Sequence, residues 1–309
     1  MRARIAAAHG PDAAALLPRG YIRLGRVLIL RLPESLRPYH PSIGAAYAEE
    51  LRVASVLARA GPIEGPWRTP RLETIFAGPT ETEVLEHGVR WRFDAREIMF
   101  SRGNKFERSR LRELVRPGET VYDLFAGIGY FTIPAALAHP SVRVHAVEVN
   151  PVAYGYLLEN ARINGVLDRV RAHRGDNRAA RLPPGAADRV LLGYLPDALP
   201  WTSRALELLR PGGGRLSVHR AVERRVGPEG AAREVASELA RCSAVVTELR
   251  SRTVKSYGPG RIHVVVEARV IPGPTVPKSP DRPAVPGPRA PEGPPRTRGE
   301  PEATPPKPS

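Results

Sequence analysis

One run of thirteen residues constrains this chain more than any other: Thr120-Val-Tyr-Asp-Leu-Phe-Ala-Gly-Ile-Gly-Tyr-Phe-Thr132. Val121 to Phe125 is rich in β-formers and ends in a turn carrying Gly127 and Gly129, and an apolar, helix-like run follows from Phe131 to Leu137. A strand, a glycine turn and a helix N-terminus in that order bring backbone close to a ligand that a β-carbon would obstruct. The expected ligand is a nucleoside-type cofactor. A dinucleotide fingerprint requires a third glycine where Thr132 stands, so the NAD pattern fails at one of its three points.

Elements alternate around this turn. Strands are expected at 142–147, 170–173, 187–194 and 215–219, with helices after Arg108, after Pro151, at 201–209 and at 229–240. Two long β-type runs, 244–256 and 261–270, read as an antiparallel hairpin on the sheet edge. Strands alternating with helices argue an α/β, doubly wound, Rossmann-like sheet over 98–270. Ahead of it, 19–97 reads as a small α+β domain: a strand from Tyr21 to Leu32, a helix from Pro41 to near Gly61, then short strands turning at His87-Gly88. Residues 1–18 lack periodicity and are expected to be a loose arm. Residues 271–309 hold 14 prolines and almost no large apolar side chains, so a disordered Pro-rich tail is expected there.

The formal net charge is +15, which invites a nucleic-acid reading, but its distribution is uneven. Residues 1–97 carry +3, 271–309 carry +2 and 98–270 carry +10, so no separate basic arm exists. Lysine is almost absent (Lys105, Lys255, Lys278 and Lys307), and with abundant Ala, Gly and Pro this points to coding bias in a GC-rich bacterium. The single cysteine, Cys242, excludes a disulfide framework and a cysteine-rich metal site, and is expected to be a small buried hydrophobe. No apolar run nears the roughly 20 residues of a membrane span. With no signal-like segment before Pro11, a cytoplasmic protein without a metal is expected.

Two further strand ends give the cofactor its identity. Glu148 closes the second strand, 21 residues after Gly127, where a carboxylate can accept both hydroxyls of a ribose. Asp176-Asn177 closes the third, where a carboxylate and an amide can read an adenine edge. The turn Asp123, Phe125, Ala126, Gly127 and Gly129 resembles that of class I S-adenosylmethionine (SAM) enzymes. Phe100-Ser101 through Glu107-Arg108, Ala187-Asp188-Arg189-Val190 and the turn Lys255-Ser-Tyr-Gly-Pro-Gly260 resemble one family among them. It comprises the archaeal and eukaryotic tRNA guanine N1-methyltransferases and the wybutosine-pathway aminocarboxypropyl transferases, and the resemblance runs from about residue 20 to 270. Gly103-Asn104, where the methyltransferases carry an arginine-leucine pair, and Gly193-Tyr194-Leu195-Pro196, where they carry Asn-Leu-Pro, resemble the aminocarboxypropyl branch.

That resemblance implies transfer of the 3-amino-3-carboxypropyl group from SAM with release of methylthioadenosine. It also implies that Ser101 and Arg108 hold SAM's amino acid moiety, Glu148 its ribose, and Asp176 with Asn177 its adenine. Arg108 suits a carboxylate because its fork can pair both oxygens. Tyr194, Asp197 and His219 are candidates for proton transfer near the cleft. A bacterial source and a weakly charged small domain favour a small-molecule acceptor, a phenol in nocardicin-type β-lactam antibiotic biosynthesis. The alternative is a modified guanine beside the anticodon of a tRNA, and tRNA guanine N1-methylation stands behind both.

Overall fold

A computed structural model describes residues 1–274 apart from 63, 64 and 66. The chain opens with helices α1 (Arg2–His9) and α2 (Pro11–Ala15), then strands β1 (Ile22–Leu24) and β2 (Val27–Leu30), α3 (His40–Leu51), β3 (Ser55–Arg59) and β4 (Leu72–Phe76). The hairpin β5 (Glu81–Glu86) and β6 (Val89–Asp94) follows, then α4 (Lys105–Leu114), β7 (Thr120–Asp123), α5 (Thr132–Ala138), β8 (Arg143–Glu148), α6 (Pro151–Ile163) and β9 (Val170–Arg174). The remainder is β10 (Arg189–Leu192), α7 (Thr202–Leu208), β11 (Gly214–Glu223), α8 (Gly227–Arg241), β12 (Val245–Gly258) and β13 (Arg261–Ile271).

Among the described residues, seven strands form one sheet in the order β12-β13-β11-β10-β7-β8-β9. Strands β11, β10, β7, β8 and β9 run parallel, while β13 and β12 return antiparallel on the edge, as the long β-type runs predict. Strand β7 lies between β8, which follows it, and β10, which comes later. The connections therefore diverge beside β7, and a crevice opens above the carboxyl ends of β7 and β10, where α/β sheets bind ligands. This is the class I SAM-dependent methyltransferase-like fold that the alternation predicts. Cys242 is buried, as expected. Among the described residues no helix is long and apolar enough to cross a membrane.

Three expectations for the N-terminal region are corrected. Residues 1–18 are not a loose arm: α1 and α2 bury Ile5, Ala13, Ala14 and Leu17 against Leu28, Ile43 and Tyr47. Arg2 also donates to the carbonyls of Ala14 and Leu17 at 2.6 and 2.7 Å. So many small alanines leave no periodic signal. The run 21–32 is not one strand but a hairpin, because Gly25 turns at φ +53° and a Cβ there would sit 2.3 Å from the Glu83 carbonyl oxygen. Helix α3 stops at Leu51, ten residues before Gly61, with Arg52 left-handed. Val56 and Leu57 then gain complete burial in β3, parallel to β2, which outweighs the helical spacing of Ile43, Tyr47, Leu51 and Ala54. Of the Pro-rich tail, 275–309 lies outside the described residues.

One core joins the N-terminal strands to the large sheet. Leu24, Val27, Leu57, Trp91 and Phe93 pack with Phe100, Val121, Ile128 and Phe131. Asn160 of α6 seals this junction with its side chain. It donates to the carbonyls of Ile128 (3.0 Å) and Arg92 (3.2 Å) and accepts from the Arg92 amide at 2.7 Å. Asn160→Ala strands those groups in a buried site and is expected to cost about 1–3 kcal/mol, read from the urea midpoint. A loss under about 0.5 kcal/mol would assign the junction to apolar packing alone.

Candidate SAM site

Backbone demand builds the glycine turn. Asp123, fully buried at the end of β7, accepts the Thr132 hydroxyl at 2.8 Å and the Phe125 amide at 3.3 Å. Burial pushes its carboxyl up to about 6, against the pull of those bonds. Thr132, which breaks the dinucleotide pattern, is thus the residue that holds Asp123. Gly127 and Gly129 sit at φ +57° and +99°, in the region that disfavours side chains. The Leu124 amide donates to Leu191 of β10 (3.1 Å) and the Ala126 amide to Val147 of β8 (3.0 Å), so the turn is pinned to both flanking strands.

Glu148, half-buried at the end of β8, closes the turn. Its Oε2 accepts from the Gly127 amide at 2.7 Å and its Oε1 from the Asn150 amide at 2.8 Å. Burial pushes this carboxyl up, while the two amides draw it down. At the end of β9, the Gly175 amide bonds the Glu148 carbonyl at 2.9 Å. Asn177 donates to the Leu124 carbonyl at 3.1 Å, which leaves its buried Oδ1 without a partner among the described residues. Asp176 is paired with Arg178, whose Nε approaches to 2.9 Å and whose hydrogen bond holds the carboxyl below its usual range. The Phe125, Tyr194 and Trp201 rings stand 5.0–5.2 Å apart beside this crevice. A carboxylate bound to turn amides, an orphaned amide oxygen and aromatic rings fit an adenosyl group: ribose hydroxyls at Glu148 and an amino-group donor at Asn177.

Other expected residues lie where the sequence did not put them. Arg108 does not present a free fork. Its Nε donates to Glu86 at 2.8 Å, its Nη1 donates to the Ser101 carbonyl at 3.1 Å, and its guanidinium lies 5.0–5.8 Å from the Phe100, Tyr130 and Trp91 rings. The Ser101 hydroxyl instead accepts from Lys255 at 2.5 Å. Asp197 is held by Arg220 (2.8 and 3.1 Å) and accepts the Leu199 amide. His219 is buried, 2.8 Å from His263, and burial lowers its imidazole to about 3, which makes it a poor proton acceptor. Tyr194 stays in the aromatic group. Gly193 is accounted for by packing, since a Cβ there would stand 3.0 Å from the Phe131 ring. Sequence reasoning missed Asn160, Lys255 and Arg68; the scarcity of lysine could have flagged Lys255. Among the described residues, no group of three or more His, Cys, Asp or Glu side chains could hold a metal ion.

Comparison with known proteins agrees with this geometry. Residues 82–246 match the model of the TRM5/TYW2 methyltransferase domain, and residues 1–81 that of the TYW2 N-terminal domain. The chain is 35% identical to the tRNA(Phe) (4-demethylwyosine(37)-C(7)) aminocarboxypropyltransferase of Pyrococcus horikoshii, over 84% of this chain and 92% of that protein. It also resembles the crystal structure of P. horikoshii TYW2 in complex with MeSAdo, with TM-score 0.77 and 31% identity over 88% and 99% of the two chains. For M. jannaschii TYW2 in complex with AdoMet the values are 0.66 and 29%, over 82% and 100%. The expected phenolic acceptor in antibiotic biosynthesis is overturned as the leading reading. It rested on codon bias and on the charge of one domain, whereas the match spans both regions of a protein named for tRNA(Phe).

The buried histidine pair generates a pH dependence. Burial lowers His219 to about 3 and His263 to about 2, so below pH 6.5 the unfolded chain takes up protons that the folded chain refuses. The stabilisation from the neutral pair is complete above about 6.5 and is lost as pH falls toward 3. Urea midpoints from pH 7 to 4 should fall more steeply for the wild type than for the His219→Gln, His263→Gln double variant. Asp123 titrates in both proteins and cancels from the difference. Parallel profiles would show that the pair is not held neutral by the fold.

Proposed function

The chain belongs to the TRM5/TYW2 methyltransferase family, and from that premise we propose that it transfers the 3-amino-3-carboxypropyl group of SAM to tRNA. The proposed acceptor is carbon 7 of 4-demethylwyosine at position 37 of tRNA(Phe), the one named for the P. horikoshii relative. The observation carrying this reading is that similarity covers the N-terminal region as well as the SAM-type domain. SAM supplies a sulfonium whose γ-carbon is open to displacement, with methylthioadenosine as leaving group. A carbon–carbon bond forms at C7 as the carbon–sulfur bond breaks, and the C7 proton passes to solvent. The chain's own residues bind and orient. Glu148 accepts the ribose hydroxyls, Asn177 Oδ1 accepts from the adenine amino group, and the Phe125, Tyr194 and Trp201 rings exclude water. With His219 neutral and Asp197 committed to Arg220, orientation is the contribution these side chains support.

The by-product tests the reaction. Incubation with SAM and tRNA(Phe) carrying 4-demethylwyosine should release methylthioadenosine in step with acceptor consumed. S-adenosylhomocysteine with a methylated base would overturn the reading in favour of methyl transfer. Glu148→Gln should weaken SAM binding about ten- to a hundredfold by titration calorimetry, the range of hydrogen bonds to a charged group. An unchanged affinity would remove Glu148 from the ribose site.

A further inference from the structure

Beside the crevice lie two cations with no acidic partner among the described residues. Lys255, part-buried on β12, donates to the Ser101 hydroxyl at 2.5 Å, which leaves two of its N–H groups unassigned. Arg68 donates to the Leu195 carbonyl at 3.2 Å and contacts the Tyr257 hydroxyl at 3.4 Å, and its Nε is buried without a partner. Leu195 follows Gly193-Tyr194 beyond the end of β10, so Arg68 reaches the mouth of the crevice from the N-terminal region. Burial lowers the Lys255 ammonium, and Arg108 and Arg68 lower it further. Tyr130, in the glycine turn itself, lies in the field of Glu148 together with that of Arg108 and Arg68. The ribose carboxylate and the cations therefore share one neighbourhood.

Cations gathered away from water without a counter-charge are costly, and an anion relieves that cost. Arg108 cannot serve, because Glu86 and the Ser101 carbonyl already occupy its fork. Gly103 marks where the free cation sits: a Cβ on it would stand 2.7 Å from Lys255 Cδ and 3.3 Å from Nζ. A side chain at 103 would push the lysine stem away from Ser101.

We propose that Lys255 and Arg68, with Ser101, form the site for the carboxylate of the aminocarboxypropyl group, and that Gly103 is side-chain-free to admit Lys255. The assignment rests on the proposed use of SAM. Pinning this carboxylate fixes the direction of the γ-carbon, so Lys255 is a binding residue that also decides which carbon faces the acceptor.

The test uses the full chain, titrated calorimetrically with S-adenosylhomocysteine and with its decarboxylated analogue. Lys255→Met should weaken S-adenosylhomocysteine about ten- to a hundredfold while changing the decarboxylated analogue by no more than about twofold. Lys255→Arg should recover most of the loss. Equal weakening of both ligands, or no weakening of either, would overturn the carboxylate site. If Lys255→Met does not fold, Arg68→Met decides by the same two titrations. A wild-type chain that binds neither ligand would overturn the proposed function itself, which distinguishes that failure from the loss of this site alone.

Discussion

The crevice depends on one shared carboxylate. Glu148 ties the Gly127 amide to the Asn150 amide, and so joins the turn after β7 to the start of α6. Both oxygens are engaged in a half-buried place, so the amides must approach closely, and the left-handed backbone at Gly127 and Gly129 allows it. Asp123 makes a similar demand one strand away, met by Thr132 and Phe125. These two acids turn a plain strand-to-helix connection into a rigid rim, and each nearby strand end is registered against that rim.

Arginine explains why composition misleads. The excess charge of 98–270 looks like a surface for phosphates, yet many of its arginines are committed internally. Arg189 bonds Glu119 at 2.9 Å, Arg110 bonds Glu267 at 2.8 Å and Arg220 bonds Asp197 at 2.8 Å. Net charge sums over paired and unpaired groups alike. Only geometry separates the arginines that close the fold from the cations left near the crevice.

The local features were legible where one residue type admits few conformations. Glycines at 127 and 129, the acid at 148 and the amide at 177 each announce a backbone requirement, and all four converge on one rim. Arg108 was misread because a guanidinium suits any carboxylate, and Glu86, distant in sequence, claimed it first. The strand at Ser55–Arg59 was hidden because a buried parallel strand and a helix face can share one apolar pattern, and pairing with β2 decided between them. Lys255 was invisible as a site because β12 reaches Ser101 only through the tertiary fold.

Asn160 gives the N-terminal region a meaning beyond acceptor recognition. Its amide grips β6 with one set of bonds and the Ile128 carbonyl, inside the glycine turn, with another. The wall and the cofactor rim therefore share a fastening and cannot be exchanged as independent modules. A lineage that grafted a new acceptor-binding domain onto this catalytic sheet would also have to rebuild the turn that meets the nucleoside. The two regions can diverge in surface, but their seam must be inherited together.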